Sequence, residues 1–477
     1  MPFLNFLDQT QVESIHQATL RILSEVGIQL THAHAREMLT GWGATVKGER
    51  VLLPPSLVET CIARCPSQVS VTGRGGSVKT LGGGNLYFHN LGGARDLFDP
   101  LTGEHRAAIL QDVRDATRLL DALENCNTIT PFFTPTDVPG PLMSLAMYRA
   151  AIPFTTKPLQ GPGIQFASEV SYALRMAEVL GEPAKMLTLS VSPVSPLKFP
   201  NHEVEAILEI AQHGVPFGPL PCPTAGTTAP FAIAGAVAQQ NAEVLAALVL
   251  TQLTRPGSPV IYCGRLAMME PRSGMSVWGG VELGLASAGT VQIAHRYGLP
   301  VNVYGFSTNS HVLDEQNGFE RALNAVIPAL SGADELSGIG EMEAGVSGSF
   351  AQMVIDNENA AGIQRLRRGF ATDDDALAVD VVADAIQNNG NFMGTRHTVR
   401  RLKAGEVLMT RLAERGSWEA WQQGGRTSLF ERAQAEAERI LLVHKVPPLE
   451  AAQEAELEQI MLAAEKELVT GGNVCTS

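Results

Sequence analysis

From residue 84 onward the chain repeats one pattern, a short apolar run, a polar break and then a helix-length segment. The runs are NLYFH from 85, NTITPFF from 127, PFTTKPLQ from 153, MLTLSVS from 186, VPFGPLP from 215, PVIYCG from 259, PVNVYGF from 300 and ELSGIGE from 335. Helix patterns stand behind them near 108–124, 141–151, 166–180, 202–213, 231–253, 280–297, 314–331 and 350–369. Short continuous apolar runs between helices are what a parallel sheet covered on both faces requires. Eight strands alternating with eight helices is the count of a closed (β/α)8 TIM barrel. An open doubly wound sheet shows the same alternation, and the number eight favours closure. The seventh helix is the clearest, with Asp314 as its N-cap and Phe319, Leu323, Ile327 and Leu330 on one stripe.

The flanks read differently. Residues 1–83 show helical periods near 9–26, 32–42 and 54–65 and then a glycine-rich TGRGGSVKTLGGG, a helical N-terminal extension followed by turns. The barrel is expected over 84–371, and 372–477 becomes a helical, charged C-terminal extension packed on it. Such a tail is either a cap on the barrel or an oligomer contact, and a homo-oligomer is expected.

Composition excludes several classes of partner. With 35 basic and 49 acidic side chains the formal charge is −14, which repels nucleic acid and anionic lipid. No stretch approaches the roughly 20 uninterrupted apolar residues that span a bilayer. The N-terminus lacks a basic leader and turns polar by Asp8, so no membrane association and a cytoplasmic location are expected. The 6 cysteines, at 61, 65, 126, 222, 263 and 475, are too sparse for a disulfide framework. Cys61 and Cys65 have helix spacing but no second His/Cys pair near them, so no metal is assigned.

The segment VNVYGFSTNSHVLDEQ, 301–316, puts an aromatic pair, hydroxyls, a histidine and acids where a short strand-to-helix turn would suffice. In a barrel it falls on the face where active sites are built. Other strand ends should converge there: His89 and Asn90, Phe132 and Phe133, Gln160, Ser192, Thr224, Arg265, Tyr304 and Phe306, Glu341 and Glu343. No nucleophile elbow, zinc helix or phosphate loop is present, which leaves aromatic faces, amides and two carboxylates. Those groups suit an organic cation that accepts no hydrogen bond. Each has a plainer role open to it. Phe132 and Phe133 alternate, so one fills the core and only Phe133 or its neighbour faces a ligand. Tyr304 and Phe306 form either a core layer or a cation box. Glu341 and Glu343 are ligand groups or helix-start acids, His89 and His311 loop residues or donors, and Arg265 an ion-pair partner or a donor.

Three stretches carry a resemblance: PTAGTTAPFAIAGAVAQQNAEVLAALVL (223–250), GFSTNSHVLDEQNGFERALNAVIPALSGADELSGIGEMEAG (305–345) and NFMGTRHTVRRL (391–402). They resemble the trimethylamine methyltransferase (MttB) superfamily of corrinoid-protein methyltransferases, over most of the chain from about 10 to 465. The resemblance implies a (β/α)8 barrel. It also implies a corrinoid (cobalamin) supplied by a partner corrinoid protein, with no cofactor bound tightly by this chain. Founding members carry pyrrolysine as an electrophile, at a position the resemblance places around Glu341 to Gly345. This chain has only standard residues, and so is similar to the non-pyrrolysine branch, whose substrates are glycine betaine and related quaternary amines. A quaternary nitrogen leaves as a neutral tertiary amine without prior activation. The resemblance thus implies methyl transfer from a quaternary amine to Co(I), with Glu341 and Glu343 as catalytic candidates. His89, Phe133, Gln160, Arg265, Tyr304, Phe306 and His311 are the candidates for substrate binding. Proline betaine, carnitine or a tertiary amine as donor, and a non-catalytic module that captures organic cations or a corrinoid protein, are the competing readings.

Overall fold

Parallel pairings run in an unbroken ring through the middle of the chain. The computed structural model describes residues 3–99, 102–161, 163–388 and 390–470. Tyr87–Asn90 pairs with Glu335–Ile339, which pairs with Val301–Tyr304, which pairs with Tyr262–Gly264. Leu189–Val191 pairs with Phe217–Pro219, and a bridge from Phe217 to Val260 joins the two groups. The ring closes through single bridges, His89 to Thr128, Ile129 to Leu159 and Gly163 to Ser190. All eight strand positions read from the sequence take part, and the fold is a (β/α)8 barrel. The second and third positions are bridges only. Within the third run, Ile152–Phe154 is a 3-10 turn, and pairing begins only around Leu159 because two prolines and the Thr155 and Thr156 loop precede it.

Eight helices follow the strand positions, from Leu110–Ala122 to Phe350–Arg368. Among the described residues Ile233–Thr254 is the one helix long and apolar enough to cross a membrane, and 83% of its apolar window is buried inside the fold. Asn241 on this helix donates to Tyr297 Oη at 2.7 Å and accepts from Tyr262 Oη at 2.8 Å. Tyr297 in turn meets His16 Nδ1 at 2.9 Å, so one polar chain ties the N-terminal helix Gln9–Arg21 to the barrel wall.

The seventh helix, Glu315–Ser331, begins at Asp314 and stops at Gly332, whose φ of 100° only glycine adopts readily. The first half of its apolar stripe faces outward, however, with Phe319 58% and Leu323 45% exposed, while Ile327 and Leu330 are half-buried. The buried face carries Asn317, Glu320, Arg321 and Asn324. These groups are needed inside because the backbone they meet is irregular. Arg321 donates to the Phe306 carbonyl at 2.9 Å and pairs with Asp356 at 2.8 Å, and Asp356 accepts from the Gly340 N–H at 2.8 Å. One buried ion pair therefore holds the loops after strands seven and eight.

The N-terminal 83 residues are not purely helical. Ile28–Leu30, Thr45–Lys47 and Arg50–Leu52 form a small sheet with Lys198–Phe199, and Val69–Thr72 pairs with Val78–Leu81 as a hairpin. Helix periodicity hid these strands because each is only three or four residues long. The hairpin matters for the site: Val69 and Leu81 cluster with Ile261 and Cys263, which line the lumen. It seals one end of the barrel and leaves the other open. At the C-terminal end, Leu429–Val443 packs on Phe350–Arg368 through Ala433, Ala437 and Ile440. Ala451–Glu465 packs on Ala167–Glu178. Cys475 lies outside the described residues.

Removing one member of a buried ion pair strands the other, at a cost of about 3–5 kcal/mol. Arg321→Met is expected to lower the free energy of unfolding by that order, read from urea denaturation. The double change Arg321→Met with Asp356→Leu is expected to restore part of the loss. Equal stability of the single variant and wild type would contradict the role given to the pair.

Candidate active site

A cavity of about 560 Å³ opens at the C-terminal ends of the strands. Successive residues of a strand face opposite ways, and the cavity receives His89 from strand one, Gln160 from the third position, Arg265 beyond strand six and Tyr304 from strand seven. These four expected site residues are brought together. A wider hollow of about 1010 Å³ lies beside the start of strand one, but its Arg365 and Arg367 are bound to backbone carbonyls of Gly369 and Gly84. The chemistry converges on the smaller cavity.

Asn90 and Ser192, also expected at strand ends, line the cavity too. The remaining expected residues lie elsewhere. Phe133 is fully buried, 4.5 Å from Phe132 and stacked on Phe350. Neither ring lines the cavity. Gly348 and Gly340 leave slots that Phe132 fills, since a Cβ on Gly348 would stand 2.2 Å from its ring. Phe306 is buried against Phe88 at 5.7 Å. It does not continue the face of Tyr304, because the N–H groups of Gly305 and Phe306 both reach the Ser337 carbonyl and the alternation breaks there. His311 is at the rim with its side chain 79% exposed, 2.6 Å from Glu343 Oε1.

The two glutamates also miss the cavity wall. Glu341 is fully buried behind Tyr304, accepting from the Ser307 hydroxyl at 2.6 Å, with Oε2 lacking a partner of good geometry. Burial pushes its carboxyl up to about 8, and burial with Glu341 alongside pushes the Tyr304 phenol up. Glu343 is at the mouth between His311 and His105, whose Nε2 is 2.9 Å from Oε2. Partial burial raises its carboxyl, but hydrogen bonds with His311 and His105 outweigh that and hold it below the usual range.

Three groups not anticipated complete the cavity: Asn302, Glu335 and Trp278. Glu335 accepts from Thr128 Oγ1 at 2.5 Å, Gln160 Nε2 at 3.1 Å and Asn302 Nδ2 at 2.6 Å. Asn302 Nδ2 also meets His89 Nε2 at 2.9 Å, and Asn302 Oδ1 accepts from Arg265. Arg265 is 5% exposed and stacks 4.8 Å over the Tyr304 ring. Its acceptors are neutral, the Gly264 and Asn302 carbonyls and the Asn302 amide, and among the described residues it forms no ion pair with a carboxylate. Trp278 stands 5.4 Å from Tyr304, its backbone N–H held on Asn309 Oδ1 at 2.8 Å. The hydroxyls and amides of 307–310 thus pin loops and do not line the cavity. A signal for Asn302 and Glu335 was available, since each is a polar residue inside an otherwise apolar buried strand. Trp278, on a loop, gave none.

The profile of a family described as trimethylamine methyltransferase (MTTB) matches residues 1–468. The chain belongs to the trimethylamine methyltransferase (MTTB) family. Within the MTTB family, a trimethylamine methyltransferase of Desulfitobacterium hafniense is 31% identical, the match covering 96% of this chain and 93% of that protein. A glycine betaine methyltransferase from another strain of that species is 27% identical over 98% of both. The solved monomethylamine methyltransferase of Methanosarcina barkeri matches with a TM-score of 0.54 at 14% identity, covering 93% of this chain and 89% of its own, which speaks for the fold. As a member of the MTTB family the protein is a methyltransferase.

The Glu341 carboxyl has a testable signature. Its folded value near 8 lies above the ordinary 4.5, so the folded state keeps a proton that the unfolded chain releases. Its contribution to stability is full below about pH 4.5, falls as the pH rises and levels off above about pH 8. Glu341→Gln cannot titrate, so the stability of the variant relative to wild type is expected to climb across that window. Urea midpoints measured from about pH 5 to about pH 8 check this, and parallel profiles would refute it.

Proposed function

We propose that this methyltransferase takes its methyl group from a betaine, a quaternary amine that carries its own carboxylate, with glycine betaine as the fitting donor. The acceptor is the Co(I) corrinoid of a separate corrinoid protein, which acts as second substrate. The observation that carries the reading is Arg265, a buried guanidinium with no carboxylate partner among the described residues, in the same cavity as Trp278 and Tyr304. A buried charge without a counter-ion is costly unless a ligand supplies one. A carboxylate bound there takes charge-assisted hydrogen bonds. The quaternary nitrogen, which accepts none, is suited to the Trp278 ring and to the field of Glu335.

In-line attack forms the cobalt–carbon bond and breaks the carbon–nitrogen bond. The bonding pair stays on nitrogen, and the product is a neutral tertiary amine. No proton has to move, so the chain's part is to fix one methyl toward the open mouth and to keep water from it. Positioning of this kind supplies roughly 7–11 kcal/mol of a barrier in favourable cases. A reducing, cytoplasmic setting suits both Co(I) and the described cysteines, which are all free.

A longer betaine is a second reading. Gly161, Gly163, Ser190 and Gly218 line the wall contributed by the third to fifth strand positions, which leaves room for a donor larger than glycine betaine.

Mixing the protein with glycine betaine and a Co(I) corrinoid protein is expected to give the methyl-Co(III) spectrum. Its absence with every quaternary amine tried would overturn the reading, and binding without turnover would instead indicate a capture module. Arg265→Met is expected to weaken glycine betaine binding about 10- to 100-fold while leaving tetramethylammonium, which has no carboxylate, unaffected. Calorimetry on the two ligands distinguishes these outcomes.

A further inference from the structure

Asn302 stands between a group that can only donate and a group that accepts. Arg265 donates to Asn302 Oδ1, and Asn302 Nδ2 donates to Glu335 Oε2 at 2.6 Å. A guanidinium has no acceptor atom, so the amide cannot be turned around. The remaining N–H of the same Nδ2 meets His89 Nε2 at 2.9 Å. A ring nitrogen that receives a hydrogen bond carries no proton, so the imidazole proton belongs on Nδ1. That atom is buried, has only a poorly aligned contact with the Asn90 backbone and no hydrogen-bond partner of good geometry, and belongs to a ring that is 6% exposed and lines the cavity. A buried donor without a good partner is destabilising, and a ligand acceptor placed against it removes that penalty.

We propose that His89 is held as a neutral imidazole protonated on Nδ1, and that this N–H joins the Arg265 guanidinium as a two-donor receptor for the substrate carboxylate. The receptor half rests on the betaine reading; the held tautomer does not. The charged groups facing the ring are Glu335, whose Oε2 is 4.0 Å from Nε2, and Arg265, with neutral Asn302 between them. Glu335 alone would favour an imidazolium, and Arg265 and burial oppose it. Protonating Nε2 also requires the amide to flip, which would set its N–H groups against Arg265 and its oxygen against Glu335. The ring is therefore expected to stay neutral through the range near 6.5 where a free histidine titrates. Neutrality has a purpose for a zwitterion, because an imidazolium would grip the carboxylate and also repel the ammonium attached to it.

Long-range proton–nitrogen correlation on protein labelled with nitrogen-15 in histidine reads the tautomer directly. The expected spectrum has one ring with a protonated Nδ1 and a bare Nε2, unchanged from about pH 5.5 to about pH 8 and missing in His89→Asn. A protonated Nε2, or a titration midpoint near 6.5, would overturn the held tautomer without any variant being needed. Asn302→Asp puts an acceptor against Nε2, so the proton is expected on that atom; an unchanged ring in a folded variant would count equally against the proposal. For the receptor, His89→Ala is expected to raise the glycine betaine Kd about tenfold, and His89→Asn, whose amide N–H falls near the Nδ1 position, to recover most of it. Tetramethylammonium binding should not change in either. An equal loss for both ligands, or no recovery in His89→Asn, removes the receptor role. If wild type binds tetramethylammonium but not glycine betaine, the betaine reading falls together with the receptor, while the nitrogen spectrum still decides the tautomer.

Discussion

A single carboxylate in the lumen, Glu335, sets what the barrel can be. It is fully buried and accepts hydrogen bonds from the second, third and seventh strand positions through Thr128, Gln160 and Asn302. An ion taken out of water costs several kcal/mol unless its lone pairs are filled, so those three side chains cannot drift from it. The second and third positions are joined to their neighbours by single backbone bridges, and there the side-chain bonds do what ladders do elsewhere. A barrel of this class is usually packed by layers of branched apolar residues. Here one layer is polar, and the space above it stays open as the cavity.

The rim depends on a second buried charge. Arg321 and Asp356 hold the backbone at Phe306 and Gly340, and Glu320 accepts from Thr308 Oγ1 and the Asn309 N–H. Asn309 then fixes Trp278 through a third loop. Glu343 and Ala344 adopt left-handed backbone, with φ of 53° and 58°, which costs non-glycine residues about 1 kcal/mol or more each. Their N–H groups are bound by the Ser310 and Thr308 carbonyls, at 3.2 and 2.7 Å, so the strained turn is tied to the same segment. A rigid mouth follows from a helix whose inward face is polar.

Much of the architecture was legible because it depends on period and count. The strand-length and helix-length segments recur in order, and even the boundaries of Asn201–His213 and Glu315–Ser331 fall within a residue or two of the pattern. What failed was direction. The first half of the apolar stripe of Glu315–Ser331, Phe319 and Leu323, faces outward because the polar face is required by irregular loops, a demand that periodicity cannot reveal. Phe306 turns away from Tyr304 because two successive N–H groups share one acceptor, which no alternation rule anticipates. His89, Gln160, Arg265 and Tyr304 were found because a strand end in a barrel implies a lumen. Glu341 and Glu343 sit close in sequence to that rim, and only three-dimensional structure separates a carboxyl behind the wall from one beside the mouth.

That separation bears on the chemistry. In methyl transfer from a quaternary amine the positive charge disappears as the carbon–nitrogen bond breaks, so a bare carboxylate in contact with it would stabilise the reactant more than the transition state. Glu341 avoids this by lying behind Tyr304, with burial favouring its neutral form. Glu335 avoids it differently, because its charge is already shared among three donors. If the donor is a betaine, as proposed, the strong directional interaction falls to Arg265 and the substrate carboxylate, a group whose charge is the same before and after transfer. Binding energy taken from that unreacting end can hold the methyl in place at no cost to the barrier. A site with its tightest ion pair at the reacting nitrogen would bind the same molecule and turn it over more slowly.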